Sequence, residues 1–176
     1  MLPTLHTDRL LLRPLQMRDL KHLYRLDGDP AVMRYIGDTR SPAQVRLRYI
    51  PLIEQYNYKV DDYGVWAAQL TENQRFIGWF CFKPLDDTSL IEVGYRLLPE
   101  YWRRGYATEG ARRLVRYGFE EQQLDRVVGV TRHDNIGSQK ALQNAGLQLK
   151  GERWFYEQTV WYYELLRDEY EQLHNW

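Results

Sequence analysis

Apolar residues recur along the chain with two different spacings. Short apolar or alternating runs predict strands at residues 9–13, 64–70, 76–83, 90–98, 126–131, 147–151 and 159–166. Spacings of three and four predict helices from Asp19 to the Asp29-Pro30 break, from Ser41 through Tyr56, over 107–119 and over 135–145. Strands and helices alternate from residue 90 onwards, an order that predicts an α/β fold with a mixed sheet.

Two of these helices carry local end signals. Ser41 suits an N-cap and is followed by Pro42 at the first helical position, and Gly146 stops the helix over 135–145. Pro51 should kink or split the helix that starts at Ser41. No repeat, low-complexity segment or linker divides the chain, so we expect a single domain over residues 1–176.

The strand at residues 90–98 should present two different faces. One face consists of the alternate residues Ile91, Val93, Tyr95 and Leu97. The other face carries Glu92, Gly94 and Arg96. We therefore expect the two charged side chains to point away from the apolar face.

The composition narrows the class of protein. At 176 residues, with 44% apolar and 27% charged residues, the chain has the size and balance of one globular domain. The 24 basic and 24 acidic residues give zero formal net charge, which argues against nucleic acid or an anionic membrane as a partner. One cysteine, Cys81, excludes an intrachain disulfide and a cysteine-based zinc site, and the four scattered histidines predict no metal site.

The hydropathy pattern bears on localisation. No apolar run reaches the roughly 20 residues that span a bilayer, and the first residues lack the apolar stretch of a signal peptide. Together with the single cysteine, these features predict a cytoplasmic protein without a membrane partner.

Residues 92–110 have the character of a phosphate-binding loop. A strand leads into Arg103-Arg104-Gly105-Tyr106-Ala107, which opens a helix. The first turn of a helix presents unpaired N–H groups and a partial positive charge, and small residues let a ligand approach the backbone. Six arginines and two glutamates between residues 95 and 116 give a local charge of +4. Neither Gly-Lys-Ser/Thr nor Gly-x-Gly-x-x-Gly occurs here, so this is neither a P-loop nor a dinucleotide loop.

Three blocks, in order, resemble the GNAT N-acetyltransferases. Gly105 and Ala107 match the Gln/Arg-x-x-Gly-x-Gly/Ala pattern of the family's acetyl-CoA loop, with Trp102 at its first position. Residues 7–15 resemble Thr-x-Arg-Leu-x-Leu-Arg, and residues 135–147 resemble Asn-x-x-Ser-x-x-x-x-x-Lys-x-Gly-Phe, with Asn and Leu replacing the Lys and Phe. Both blocks are typical of the branch that resembles bacterial ribosomal-protein N-terminal alanine and serine acetyltransferases. The resemblance covers roughly residues 4–167.

This resemblance implies a GNAT fold of the α/β (α+β) class, with a central, strongly twisted, mixed sheet of about six to seven strands flanked by about four helices. It implies acetyl-CoA as co-substrate, with its pyrophosphate on the N–H groups of residues 103–108 and its 3′-phosphate side near Arg103 and Arg104. A backbone N–H around Leu97 and Leu98 would polarise the thioester carbonyl. The implied acetyl-CoA-binding residues are Leu97, Leu98, Arg103, Arg104, Gly105, Tyr106, Ala107, Thr108, Asn135 and Ser138.

Asn135 and Ser138 each have a structural and a functional interpretation. Asn135 suits the N-cap of the helix over 135–145, and Ser138 shares a helix face with Ala141 and Leu142, which should point inward. The resemblance places both near the pantetheine and the thioester. Many relatives protonate the departing thiolate with a tyrosine about four residues further on. This helix has no tyrosine, so Ser138 is the candidate acid.

Two carboxylates are candidates for accepting the proton of the acceptor amine, which is mostly protonated at pH 7. Glu92 lies on the strand before the acetyl-CoA loop, and Glu157 lies just before the last strand, where some members of the branch place a carboxylate. The structural alternatives are a cross-strand pair of Glu92 with Arg96 or Arg132, and a solvated turn for Glu157.

We therefore interpret the sequence as an acetyl-CoA-dependent N-acetyltransferase that acts by direct attack in a ternary complex. The acceptor would be a primary amine, of a protein or peptide N-terminus or of a small molecule such as an amino acid, a polyamine or an antibiotic. The alternatives are a non-catalytic acyl-CoA-binding sensor or interaction module and an RNA-associated protein, and the zero net charge argues against the latter. We expect a monomer or a homodimer.

Overall fold

Most strands and helices form where the periodicity predicts them, with additions near both ends of the chain. The computed structural model describes residues 2–58 and 63–174, without the side chains of residues 56–58 and 174. The strands are β1 (Leu5–His6), β2 (Leu10–Pro14), β3 (Gly64–Leu70), β4 (Phe76–Pro84), β5 (Ile91–Leu97), β6 (Arg126–Thr131), β7 (Gln148–Phe155) and β8 (Gln158–Leu166). The helices are α1 (Leu20–Gly28), α2 (Pro30–Met33), α3 (Pro42–Tyr58), α4 (Tyr106–Arg116), α5 (Ile136–Asn144) and α6 (Arg167–His174).

The strands follow the order β1-β2-β3-β4-β5-β6-β8-β7. β5 and β6 are parallel, with Glu92 opposite Val128, whereas β1–β2, β2–β3, β6–β8 and β7–β8 pair antiparallel. A crossover through α4 joins the parallel pair, as parallel strands require. The α/β class with a mixed sheet is therefore confirmed. Among the described residues the eight strands exceed the predicted six to seven because of the two-residue β1, and α2 and α6 are additional to the four predicted helices.

The chain divides into two compact units. The first comprises residues 1–81 and 95–106, and the second comprises residues 82–94 and 107–176. The core of the first unit is formed by buried residues of its helices and strands, including Leu23, Leu26, Val45, Val65 and Trp79. A smaller cluster in the second unit is formed by Leu85, Val128 and Tyr162. A single domain over residues 1–176 stays a prediction.

Helix α3 continues through Pro51, so the predicted split does not occur. Val45, Tyr49 and Ile53 follow one another at the helical spacing of four and are at most 4% exposed. This buried face holds the helix together across the proline, because packing of an apolar face contributes more to helix stability than local propensity does.

Strand β5 carries buried charged residues among its apolar ones. Glu92 is only 7% exposed and Arg96 only 5%, values comparable to those of Ile91 and Val93. A charge is retained at such a position only when an opposite charge or several hydrogen-bond partners compensate its loss of water. Both side chains have such partners within their own unit.

Candidate active site

The end of β5 is fixed to the loop that follows it by Trp102. Residues Pro99–Tyr101 form a short 3₁₀ turn, and the Trp102 indole N–H donates to the carbonyl oxygen of Leu97 at 2.7 Å. Trp102 occupies the position where the family pattern has Gln or Arg. Its role here is to tie the loop back to the strand, a role that the sequence alone did not suggest.

Leu97 and Leu98, two of the predicted acetyl-CoA-binding residues, lie against β4. The Leu98 N–H donates to the carbonyl of Ile77 at 2.9 Å, so this N–H is engaged within the protein. Gly78 allows the close approach, because a Cβ at this position would lie 2.1 Å from the carbonyl oxygen of Arg96. The backbone of the segment is thus held in place on its β4 side.

The loop before α4 contains two residues with left-handed backbone. Arg103 and Gly105 adopt positive φ values of 57° and 82°, and α4 begins immediately afterwards at Tyr106. Gly105 has no side chain with which to cap the helix. Outside the helices and strands, the backbone hydrogen bonds of the described residues include none donated by the N–H groups of residues 103–108. These donors are therefore left for an external acceptor.

Arg9 contacts this loop through a hydrogen bond and a ring contact. Its Nη1 donates to the carbonyl oxygen of Arg104 at 2.9 Å, and its guanidinium lies 4.5 Å from the centroid of the Tyr106 ring. Arg9 belongs to the opening block that carried the resemblance, but the sequence gave no reason to connect it with a loop far along the chain. The contact makes Arg9 a positioning residue for the loop.

Three of the six arginines between residues 95 and 116 form ion pairs with acidic side chains. Arg103 and Arg104 are exposed, and no acidic side chain of the described residues pairs with either guanidinium. The other four have partners within their own unit: Arg96 with Asp27, Arg112 with the Asn144 carbonyl, Arg113 with Glu121 and Arg116 with Glu120. Two of the three arginines without an acidic partner, Arg103 and Arg104, thus lie at the loop itself, and the third, Arg112, lies on α4.

Asn135 caps α5 as predicted, since its Oδ1 accepts from the Ser138 N–H at 3.1 Å. Ser138 is half-buried rather than fully inward-facing, whereas Ala141 and Leu142 are 5% and 2% exposed. The cap therefore brings the two predicted residues together at the helix start. Their assignment to the pantetheine and thioester stays a prediction.

Glu92 forms an ion pair within the second unit, and its partner is neither Arg96 nor Arg132. The Lys83 ammonium on β4 donates to Glu92 Oε1 at 2.5 Å. The Tyr156 hydroxyl donates to the same oxygen. Burial and the negative charge of Glu92 raise the pKa of Tyr156 to about 12, so its hydroxyl stays protonated at neutral pH.

Glu157 lies beside Tyr156 at the tip of the β7–β8 hairpin and is exposed. Tyr156 and Glu157 both have positive φ values, 52° and 59°, the geometry of a two-residue type I′ turn. The sequence predicts a solvated turn as the structural alternative for Glu157. It does not predict a hairpin tip there, because the predicted β7 ends at residue 151 and such turns usually contain Asn or Gly. The assignment of Glu157 as a base stays a prediction.

A buried charge cluster surrounds Asp27, which is fully buried at the end of α1. Its carboxylate pairs with Arg96 and with Arg40, the latter at 2.8 Å, and accepts from the Tyr49 hydroxyl at 3.2 Å. Burial raises the pKa of Tyr49. Because Arg96 immediately precedes Leu97, this cluster anchors the end of β5 to α1 and α3.

No group of three or more His, Cys, Asp or Glu side chains in the part of the chain that the structure describes is arranged to hold a metal ion. Within the same residues, no helix is long and apolar enough to cross a membrane.

Comparison with known proteins identifies the family. The sequence profile described as "Acetyltransferase (GNAT) domain" matches residues 9–148. The chain belongs to the GNAT acetyltransferase family. This acetyltransferase is 34% identical to the FsC-acetyl coenzyme A-N(2)-transacetylase of Aspergillus fumigatus over 154 residues, which make up 82% of the chain and 65% of the relative. The chain therefore spans somewhat less than two thirds of the length of that relative.

Solved structures agree with the GNAT fold of this acetyltransferase. An acetyltransferase from Agrobacterium tumefaciens superposes with a TM-score of 0.81 at 24% identity, over 94% of this chain and 95% of that one. The ribosomal-protein-S5-alanine acetyltransferase from Vibrio fischeri superposes with a TM-score of 0.73 at 16% identity, over 94% and 97% of the two chains. At these identities the likeness establishes the fold alone.

Proposed function

We propose that this GNAT acetyltransferase transfers the acetyl group of acetyl-CoA to a primary α-amine, of a peptide or protein N-terminus or of a small molecule. The start of α4 carries the proposal, because it combines unused N–H groups, a glycine without a capping side chain and two arginines without acidic partners. The resemblance of residues 7–15 and 135–147 to N-terminal acetyltransferases supports a peptide end as acceptor. The name of the Aspergillus relative likewise states transfer to an N(2) nitrogen.

The pyrophosphate would be bound by the N–H groups of residues 103–108 and by the positive end of the α4 dipole. Arg103 and Arg104 would add charge on the 3′-phosphate side. Both are free to reorient because neither is committed to an ion pair with a described acidic residue. Arg9 would keep the Arg104 carbonyl turned away from the phosphate, since it accepts from Arg9 instead.

The thioester would lie along the end of β5. The Leu98 N–H already donates to Ile77, so we assign polarisation of the thioester carbonyl to the Leu97 N–H. A fixed N–H directed at a carbonyl oxygen that gains negative charge stabilises the transition state. The proposal also keeps Asn135 and Ser138 near the pantetheine and the thioester.

The reaction consists of one acyl transfer with three proton transfers to or from the reactants. Glu92, directly or through a water molecule, accepts a proton from the acceptor ammonium. The neutral nitrogen attacks the thioester carbonyl carbon, so that a C–N bond forms and the C–S bond breaks. The nitrogen loses its second proton to solvent, and the departing thiolate takes a proton from the Ser138 hydroxyl, which solvent then restores.

A panel of amines tests the function. Acetyl-CoA would be incubated with the protein and with short peptides beginning with Ala or Ser, a polyamine or an aminoglycoside. The products would be located by mass spectrometry. We expect acetylation of the α-amine, whose pKa near 8 leaves more of it neutral at pH 7 than a lysine amine with a pKa of about 10.4. Acetylation of only the polyamine or aminoglycoside would contradict the α-amine assignment, and acetyl-CoA binding without any turnover would contradict the proposed reaction.

A further inference from the structure

Tyr156 occupies a strained position at the tip of the β7–β8 hairpin. Both residues of the turn have positive φ values, although neither is glycine or asparagine. Left-handed backbone is unfavourable for residues with a Cβ, and it persists only where surrounding contacts hold it. The family profile ends at residue 148, so this hairpin tip lies beyond the matched range.

Asp86 supplies contacts that hold the tip. The backbone N–H of Tyr156 donates to Asp86 Oδ2 at 2.8 Å, and the backbone N–H of Asp86 donates to the Tyr156 hydroxyl at 3.2 Å. Asp86 itself has a positive φ of 48°. Two tight turns far apart in sequence are thus joined by a reciprocal pair of hydrogen bonds.

The Tyr156 hydroxyl is joined to the ion pair beneath it. It donates to Glu92 Oε1 and accepts from the Lys83 ammonium at 2.9 Å. Lys83 donates to the same Glu92 oxygen. Tyr156 is 39% exposed, whereas Glu92 is 7% exposed, so the phenol links the molecular surface to a buried carboxylate.

The surroundings of Glu92 contain few other titratable groups. Lys83 on β4 and Tyr156 on the hairpin are the described titratable side chains that contact it, and Asp86 lies behind Tyr156. On β6 the paired position is Val128, which does not titrate. Both donors are on Oε1, and no donor of the described residues is bonded to Oε2.

We propose that Tyr156 is a positioning residue for the transfer reaction, holding the Glu92 carboxylate so that Oε2 is the oxygen that receives the amine proton. The inference rests on the proposed function of Glu92. The hydroxyl and the ammonium fix Oε1 and stabilise the charged carboxylate, the form that accepts a proton. The strained turn and its bonds to Asp86 set the position of the hydroxyl.

The test compares Tyr156→Phe with a matched control, Tyr170→Phe. Both changes remove a hydroxyl that donates to a carboxylate, in the control case Glu120 at 2.8 Å. The titration of Glu92 would be followed by ¹³C NMR in protein labelled on its glutamate carboxyl carbons, with Glu92→Gln used for assignment. Losing a hydrogen bond to the charged form should move the Glu92 titration to higher pH in Tyr156→Phe and leave it unchanged in Tyr170→Phe.

Kinetics complete the test. The acidic limb of the kcat profile should move to higher pH in Tyr156→Phe by the same amount, while the affinity for acetyl-CoA stays constant. An unchanged NMR midpoint in folded Tyr156→Phe overturns the inference. A shifted midpoint with an unchanged kcat profile overturns the positioning role and leaves the proposed transfer intact.

Two further outcomes, a variant that does not fold and a protein without transfer activity, each have a separate readout. If Tyr156→Phe does not fold, Asp86→Ala, which releases the tip but keeps the hydroxyl, should shift the midpoint in the same direction, and an unchanged midpoint there overturns the inference. If the wild type transfers no acetyl group, the proposed function fails. The NMR midpoint then still decides whether Tyr156 controls the state of Glu92.

Discussion

Arg9 and Arg104, separated by 95 positions in the sequence, are joined by a hydrogen bond from the Arg9 guanidinium to the Arg104 carbonyl oxygen at 2.9 Å. The same guanidinium stacks on Tyr106, the first residue of α4. The opening strand region therefore fixes the turn that precedes α4. This relationship explains why an arginine in the opening block matters to a loop with which it shares no local sequence.

Replacing Arg9 by Met should weaken acetyl-CoA binding by about five-fold, because a hydrogen bond that orients the loop contributes about 1 kcal/mol. Isothermal titration calorimetry would measure the affinity. Arg18→Met, at an exposed arginine, provides the matched control. An affinity in folded Arg9→Met equal to that of the control would contradict a positioning role for Arg9.

Exchanging Glu92 for Gln preserves size and most hydrogen bonding but removes the proton acceptor. A general base typically contributes about 10²–10⁴-fold, so kcat should fall by that order while the affinity for acetyl-CoA stays nearly unchanged. Glu157→Gln is the paired variant. Loss of activity in Glu157→Gln alone would show that Glu157, at the hairpin tip, is the base. Loss of thermal stability in Glu92→Gln without a kinetic effect would show that Glu92 is only a structural ion-pair partner.

At alkaline pH, the free energy of unfolding should depend on the ionisation of Tyr156. Its pKa is raised from 10.0 to about 12 in the folded protein. The protonated phenol therefore stabilises the fold fully below pH 10, and this contribution is lost as the pH rises through 12. Urea unfolding at pH 9, 10 and 11 should give a steeper decline for the wild type than for Tyr156→Phe. Tyr24→Phe, whose hydroxyl accepts from Arg46, is the control, and equal declines in all three proteins would refute the assignment.

Removing the charge of Asp27 should be among the most destabilising single changes. Asp27→Asn leaves Arg96 and Arg40 without their shared buried counter-ion, and breaking a buried pair from one side costs about 3–5 kcal/mol. Chemical denaturation would measure the loss, with the exposed Asp38→Asn as control. A difference below about 1 kcal/mol between the two variants would mean that the cluster contributes no more than a surface pair.

Features that depend on neighbouring residues could be predicted from the sequence. Gly105 and the arginines before it predict the turn into α4, and Asn135 predicts the N-cap of α5, because both features depend only on neighbouring residues. The ion-pair partner of Glu92 was predicted wrongly. Its partner, Lys83, belongs to another strand, and the residues of one strand do not determine its register against a neighbouring strand. Tyr156 was missed for a related reason. Its turn contains no Gly or Asn, and distant contacts with Asp86, Lys83 and Glu92 stabilise it.

Calorimetric titration of acetyl-CoA into Gly105→Glu shows whether acetyl-CoA binds at residues 103–108. The new side chain would place a negative charge where the pyrophosphate is proposed to bind, and affinity should fall by about ten- to a hundred-fold. Gly28→Glu makes the same change at an exposed glycine, where the nearest atom to an added Cβ would be the Arg40 carbonyl oxygen at 4.0 Å, an ordinary van der Waals contact. This variant should bind like the wild type.

Because Gly105 has a positive φ, the fold of its variant would be checked by circular dichroism. The double variant Arg103→Glu/Arg104→Glu provides the same test without changing the glycine. We expect both loop variants to lose affinity for acetyl-CoA and Gly28→Glu to retain it. Wild-type affinity in the folded loop variants would contradict the assignment of the acetyl-CoA site to residues 103–108.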